Sequence, residues 1–251
     1  MLRTPQLKKI FHTSIALVLA VSLTGGYCRA DEPITLPQGI DFSILPPPPA
    51  DDSPTGLADL SVLLYVQSSR TPEQVAFAKK MESPSVFEMG REIFGPWFTR
   101  DNLPKTAAIL SQMSKVTDKV KEDAKKNWMR PRPYTRSALV APVVGKPGDA
   151  GCYPSGHTYG IAIAEFTLTA AFPEHSAQFD EMIHRVMWGR ILGGVHYPSD
   201  TEAGRLLAKD VVEKMLKTTA MQEAVTTMRA EAAPFIAAER EKPNQAAIWP
   251  R

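Results

Sequence analysis

Residues 154–173 read PSGHTYGIAIAEFTLTAAFP, and this stretch sets the class of fold. Ile161, Ala162, Ile163, Ala164, Phe166 and Leu168 make a helix that is apolar nearly all round, which predicts a buried central helix rather than a surface one. Ser155 and Gly156 suit its start, and Pro173 closes it near Ala171. Such a helix needs others around it, and the flanking sequence supplies them. Upstream, Lys105 to Trp128 carries Ile109, Met113, Val116 and Val120 at spacings of three and four, and stops at Arg130-Pro131-Arg132-Pro133. Residues 130–156 then read as a Pro- and Gly-rich loop, long enough within a compact domain to suggest a functional role. Downstream, His175 to Leu192 aligns Phe179, Met182, Ile183, Val186, Met187 and Arg190 on one stripe. Ser199 with Glu202 reads as a capping box for a helix reaching Leu216. A last helix covers about Met221 to Arg229 and is interrupted by Pro234. No stretch alternates cleanly over more than four residues. The expectation is an all-α protein, a single compact helical domain over residues 56–240. An extended Pro-rich segment over 31–55 precedes it and a tail over 241–251 follows.

The start of the 251-residue chain reads differently. Arg3, Lys8 and Lys9 precede an apolar run from Ile15 to Leu23, and small residues lead to Ala30. This is the layout of a cleavable signal peptide over residues 1–30, and it predicts export to a periplasm. The run is shorter than the roughly 20 residues that a membrane span needs. Removing Arg3, Lys8, Lys9 and Arg29 leaves 25 of the 29 basic residues against 27 acidic ones, a net charge of −2. The mildly basic whole-chain balance therefore gives no support for nucleic-acid binding. Of the two cysteines only Cys152 would remain, so a disulfide scaffold and a four-cysteine zinc site are both excluded. Cys152 reads as a small buried filler.

Three short elements carry candidate chemistry. Ser155 and Gly156 at the mouth of an apolar helix offer backbone N–H groups backed by the helix dipole, which is a ready anion site. His157 stands beside it. A plain Ser/Gly cap explains the same residues. Lys125 and Arg132 are separated by six residues, and the arginine is stiffened by Pro133; Lys125 also fits a solvated Lys/Glu face. Arg190 continues a buried stripe and so requires an anionic partner. Asp200 is placed to orient His196 through one ring nitrogen, although it also fits a simple helix cap. Together, three cations, oriented amides and two histidines suit a phosphoryl group, with no metal or other cofactor required. His175 and His184 read as surface residues.

Lys125…Arg132-Pro133, Pro154-Ser155-Gly156-His157 and Arg190…His196…Asp200 resemble, in order and spacing, the phosphatase signature of the phosphatidic acid phosphatase type 2 superfamily. Within it, the export signal, compact size and Leu45-Pro46-Pro47-Pro48-Pro49 look like the bacterial class A non-specific acid phosphatases. The resemblance covers about residues 41–235. Gly189 departs from the signature, which has serine before the arginine. The resemblance implies hydrolysis of small phosphate monoesters, with His196 as nucleophile, His157 as acid and Asp200 as orienter. Lys125, Arg132, Ser155, Gly156 and Arg190 are implied to hold the phosphoryl oxygens, and a homo-oligomer is implied too. Rival expectations are a vanadium-dependent haloperoxidase, which shares these residues, and a non-catalytic periplasmic phosphate-binding protein. A membrane-embedded lipid phosphatase is disfavoured, since residues after 30 contain no spanning segment.

Overall fold

A computed structural model describes residues 33–148 and 151–241. The expected signal peptide, and the tail beyond Glu241, lie outside the described residues. Residues 33–53 form turns and extended chain, as their prolines demand. Helix α1 (Pro54–Ser69) then starts on Ser53, whose hydroxyl accepts from the Gly56 amide. The remaining helices are α2 (Pro72–Lys80), α3 (Val86–Phe94), α4 (Pro104–Trp128), α5 (Pro133–Arg136), α6 (Gly156–Ala171), α7 (Ser176–Leu192), α8 (Pro198–Met215) and α9 (Thr219–Glu241). Among the described residues there is no strand, so the fold is all-α. None of these helices is long and apolar enough to cross a membrane.

Helix α6 is the central element, packed against α4, α7, α8 and α9. Ala162, Ile163 and Leu168 are buried, in keeping with an apolar circumference. The start of α6 is drawn against α8. A Cβ on Gly204 would lie 2.6 Å from the Ser155 carbonyl oxygen, so only glycine permits that approach. The Ser155 amide then donates to the Asp200 carbonyl oxygen at 2.8 Å, tying the two helix starts together.

Three local expectations are corrected. Residues 130–156 are not loop throughout, because Pro133 opens the short helix α5 in the N1 position where proline costs no hydrogen bond. Helix α8 starts at Pro198, and Ser199 is not its cap. Asp200 takes the reciprocal role instead, its Oδ2 accepting from the Tyr197 amide at 2.9 Å, while Glu202 turns to Arg205. Pro234 does not interrupt the last helix, which continues to Glu241. Tertiary packing holds both sides of the proline: Met228 and Ala232 are buried before it, and Phe235 stacks on Trp97 after it.

Candidate active site

The basic residues reach the site from α4 and the turn after it. Lys125 lies in the last turn of α4 and is 7% exposed, so it does not belong to a solvated face. Its Nζ donates to the Gly151 carbonyl at 2.6 Å. Burial, then the neighbouring Arg132, lowers its pKa to about 8. Met129 ends α4 in the left-handed region at φ 43°, which turns the chain sharply and sends Arg130 and Arg132 back toward α8. Arg132 Nη1 donates to the Val195 carbonyl at 3.1 Å and lies 3.2 Å from His196 Nε2.

His196 is 1% exposed and sits just before α8. Its Nδ1 faces Asp200 Oδ2 at 3.3 Å. An ionised carboxylate accepts only, so Nδ1 carries the proton and Nε2 presents its lone pair, aimed at Arg132. Burial, against the Asp200 hydrogen bond, depresses the His196 pKa to about 3. Asp200 is fully buried, and its hydrogen bond with His196, its pairing with Arg130 and its hydrogen bond from the Tyr197 amide keep it ionised despite that burial.

At the start of α6, the Ser155 hydroxyl accepts from the Thr158 amide as a true N-cap. Because the Ser155 amide is committed to Asp200, it is not an oriented donor to a ligand, contrary to expectation. His157 follows in the first turn. Burial first, then the charge of Arg190, lowers its pKa to about 4, while its hydrogen bond to the Glu82 backbone carbonyl works against this. Arg190, in the last turn of α7, is 1% exposed. Among the described residues no hydrogen bond or ion pair joins it to the anionic partner that its stripe position called for. Its Nε and Nη1 have no hydrogen-bond partner, and Glu82 acts on it only through its field. Burial holds the Arg190 pKa down near 10, which leaves it charged at neutral pH. A buried cation with donors to spare needs an anion to complete it.

Lys125, Arg132, Gly156, His157 and His196 line one open cavity of about 320 Å³, with Lys121 and Glu122 at its edge. Asp200 stands behind His196, whereas Ser155 and Arg190, also expected at the site, are buried and are not among the residues that line the cavity. Among the described residues no group of three or more His, Cys, Asp or Glu converges as a metal site. Cys152 is buried with its Sγ on the Pro131 carbonyl, and burial pushes its thiol well up. His184 is exposed, whereas His175 is half-buried against the Phe94 ring. The Gly189 departure has a packing cause, since a Cβ there would meet Met81 Cβ at 2.3 Å.

Sequence reasoning missed three residues. Glu82 follows α2 and touches His157. Arg130 joins Asp200, and Asp59 joins Arg130. Arg130 stood in plain view in the Arg-Pro-Arg-Pro run; Asp59, some 70 residues away, carried no local signal.

Residues 106–209 match the PAP2 superfamily model. A non-specific acid phosphatase of Salmonella typhi is 25% identical over 197 residues, covering 74% of this chain and 78% of that protein. A non-specific acid phosphatase of Providencia stuartii is 28% identical over 184 residues, covering 70% and 74%. The crystal structure of the first transmembrane PAP2 type phosphatidylglycerolphosphate phosphatase from Bacillus subtilis superposes with TM-score 0.46 at 18% identity, covering 66% of this chain and 86% of that one. The matched segment contains Lys125, Arg132, Ser155, Gly156, His157, Arg190, His196 and Asp200, and the relatives match well beyond it. Residues 106–209 are a PAP2 superfamily domain, in a chain similar to bacterial non-specific acid phosphatases.

Proposed function

We propose that this protein is a metal-independent acid phosphatase that hydrolyses small phosphate monoesters through a phosphohistidine. The observation that carries the reading is the His196 Nε2 lone pair, set by Asp200 and facing Arg132 in the same cavity as His157. Lys125, Arg132 and Arg190 hold the phosphoryl oxygens, with the Ser155 hydroxyl proton and the free amide at Gly156 as further donors. Such fixed donors act most strongly on charge that spreads over phosphoryl oxygens in the transition state.

His196 Nε2 attacks phosphorus, the bond to the ester oxygen breaks, and that oxygen takes the His157 proton. A water then gives a proton to His157 and attacks the same phosphorus. The N–P bond breaks, and phosphate leaves with His196 restored. Asp200 stabilises the positive charge that the phosphorylated ring carries. The names of the relatives support the phosphatase reading over halide oxidation or phosphate binding alone. Export to a periplasm fits this reading and awaits a test of cleavage after Ala30.

The test is hydrolysis of p-nitrophenyl phosphate by the chain from residue 31 onward, at mildly acidic pH with excess EDTA. Turnover that resists EDTA, and is abolished in His196→Ala, is the expected result. Full activity in His196→Ala refutes the nucleophile. Binding of inorganic phosphate without turnover refutes the enzyme.

A further inference from the structure

A buried polar cluster behind the cavity begins on α1, outside the matched segment of residues 106–209. Asp59 and Arg130 are each 4% exposed and Asp200 is fully buried. Arg130 Nη1 donates to Asp200 Oδ1 at 2.6 Å and to Ser199 Oγ at 2.7 Å, and Arg130 Nη2 donates to Asp59 Oδ2 at 2.9 Å. Asp59 Oδ1 also accepts from the Ser199 amide at 3.1 Å, and the Ser199 hydroxyl donates to Asp59 Oδ2. The guanidinium lies 4.2 Å over the Tyr197 ring, which fixes its plane. The two Asp200 oxygens are thus divided: Oδ1 belongs to Arg130, and Oδ2 faces His196 Nδ1 and accepts from the Tyr197 amide.

We propose that Asp59 and Arg130 are positioning residues for the nucleophile, with Arg130 orienting Asp200 and Asp59 offsetting the charge of Arg130 so that Asp200 still serves His196. This rests on the phosphatase reading above. Arg130 alone would neutralise Asp200, and the pair would then offer little to a ring that becomes positive on phosphorylation. With Asp59 the buried cluster of Asp59, Arg130 and Asp200 carries one surplus negative charge, and in a poorly screened interior that surplus acts on the ring. The other charges facing His196 are Arg132, 3.2 Å from Nε2, and Lys125 on α4, and both oppose a positive ring. The surplus from α1 counters them.

The experiment compares Asp59→Asn with the wild-type chain on p-nitrophenyl phosphate across pH, with inhibition by inorganic phosphate measured alongside. The phosphate-holding residues are untouched, so KM and phosphate inhibition are expected to stay within about threefold. The kcat is expected to fall by about tenfold or more. The acid limb of kcat/KM is expected to move to lower pH, because loss of a negative charge disfavours protonated His196. Asp59→Glu is expected to restore the limb and part of kcat. An unchanged kcat overturns the proposal, and so does a lowered kcat with an unmoved limb and no rescue by glutamate. Should Asp59→Asn fail to fold by circular dichroism, Arg130→Lys substitutes for it. Lysine keeps the charge but cannot bridge two carboxylates, so the same kcat loss at unchanged phosphate affinity is expected, and an unchanged kcat overturns the proposal. A wild type without turnover refutes the phosphatase reading instead. The relay is then read from the His196 ring by nitrogen NMR, with a lower titration in Asp59→Asn expected and identical titrations overturning it.

Discussion

Replacing Glu165 with Gln should leave the protein unchanged at acid pH and stabilise it strongly at alkaline pH. Glu165 lies in the middle of α6, is fully buried, and neither carboxyl oxygen has a hydrogen-bond partner among the described residues. Burial raises its pKa from 4.5 to about 8. The sign follows from which state releases the proton first. The unfolded chain ionises Glu165 near pH 4.5 and the folded chain only near 8, so folding stability is fully present below 4.5 and is lost as pH rises toward 8. At about 1.4 kcal/mol per pH unit, that interval amounts to roughly 5 kcal/mol, a large part of a typical domain's stability. Glutamine does not titrate and leaves a neutral polar group in the same place. His157, His196 and Lys125 also have depressed values, and the two histidines lower stability in acid, but they titrate alike in both proteins and cancel in the difference. The assay is urea unfolding followed by tryptophan fluorescence at several pH values between 4.5 and 8.5. The stability difference should be near zero at the acid end, widen with pH and level off above 8. Parallel stability curves would show that Glu165 is solvated or paired in solution and would refute the argument.

Three further substitutions probe the site and its surroundings. Restoring the signature serine with Gly189→Ser should cost about 1–3 kcal/mol through overpacking, because its Cβ meets the root of Met81 and not its mobile tip. Adding Met81→Ala, which alone should cost about 2–5 kcal/mol, should make the pair less than additive in a urea-unfolding cycle, and strict additivity would disprove the contact. Replacing His157 with Asn should lower kcat on an alkyl phosphate by about a hundredfold or more, and by less on p-nitrophenyl phosphate, whose leaving group needs no proton. Equal losses on the two substrates would remove His157 from the acid role.

What the sequence disclosed, and what it hid, divides along the range of the interactions. Helix α6 was readable because its signal is its own composition, and Gly156 to Ala171 folds as that composition requires. The ordering of Lys125, His157 and His196 about one cavity was readable as spacing within short motifs. Pro234 misled because local propensity argues for a break, while Trp97, more than 130 residues earlier, holds Phe235 in line beyond it. Ser199 misled for the same reason, since its hydroxyl and amide are drawn to Asp59 on α1 and leave the start of α8 to Asp200. The demand that Arg190 be paired was sound electrostatics, yet no protein group among the described residues supplies the anion by hydrogen bond. A functional site is where such local rules are expected to give way.

The two histidines show how one environment can separate two roles. Burial depresses both, to about 3 for His196 and about 4 for His157, although Asp200 supports the protonated form only at His196. On the proposed mechanism, His196 must be free of its second proton while His157 still holds one. Acid pH meets both demands, because the nucleophile resists protonation almost to pH 3. A phosphate ester entering among Lys125, Arg132 and Arg190 brings negative charge to offset the cations that hold His157 down, so the His157 value rises as the substrate binds. The bound site therefore keeps its acid at a higher pH than the free site does, and activity should extend from strongly to mildly acidic conditions. The alkaline limb then belongs to the His157 proton, and the cations that bind phosphate also decide how far that limb lies above pH 4.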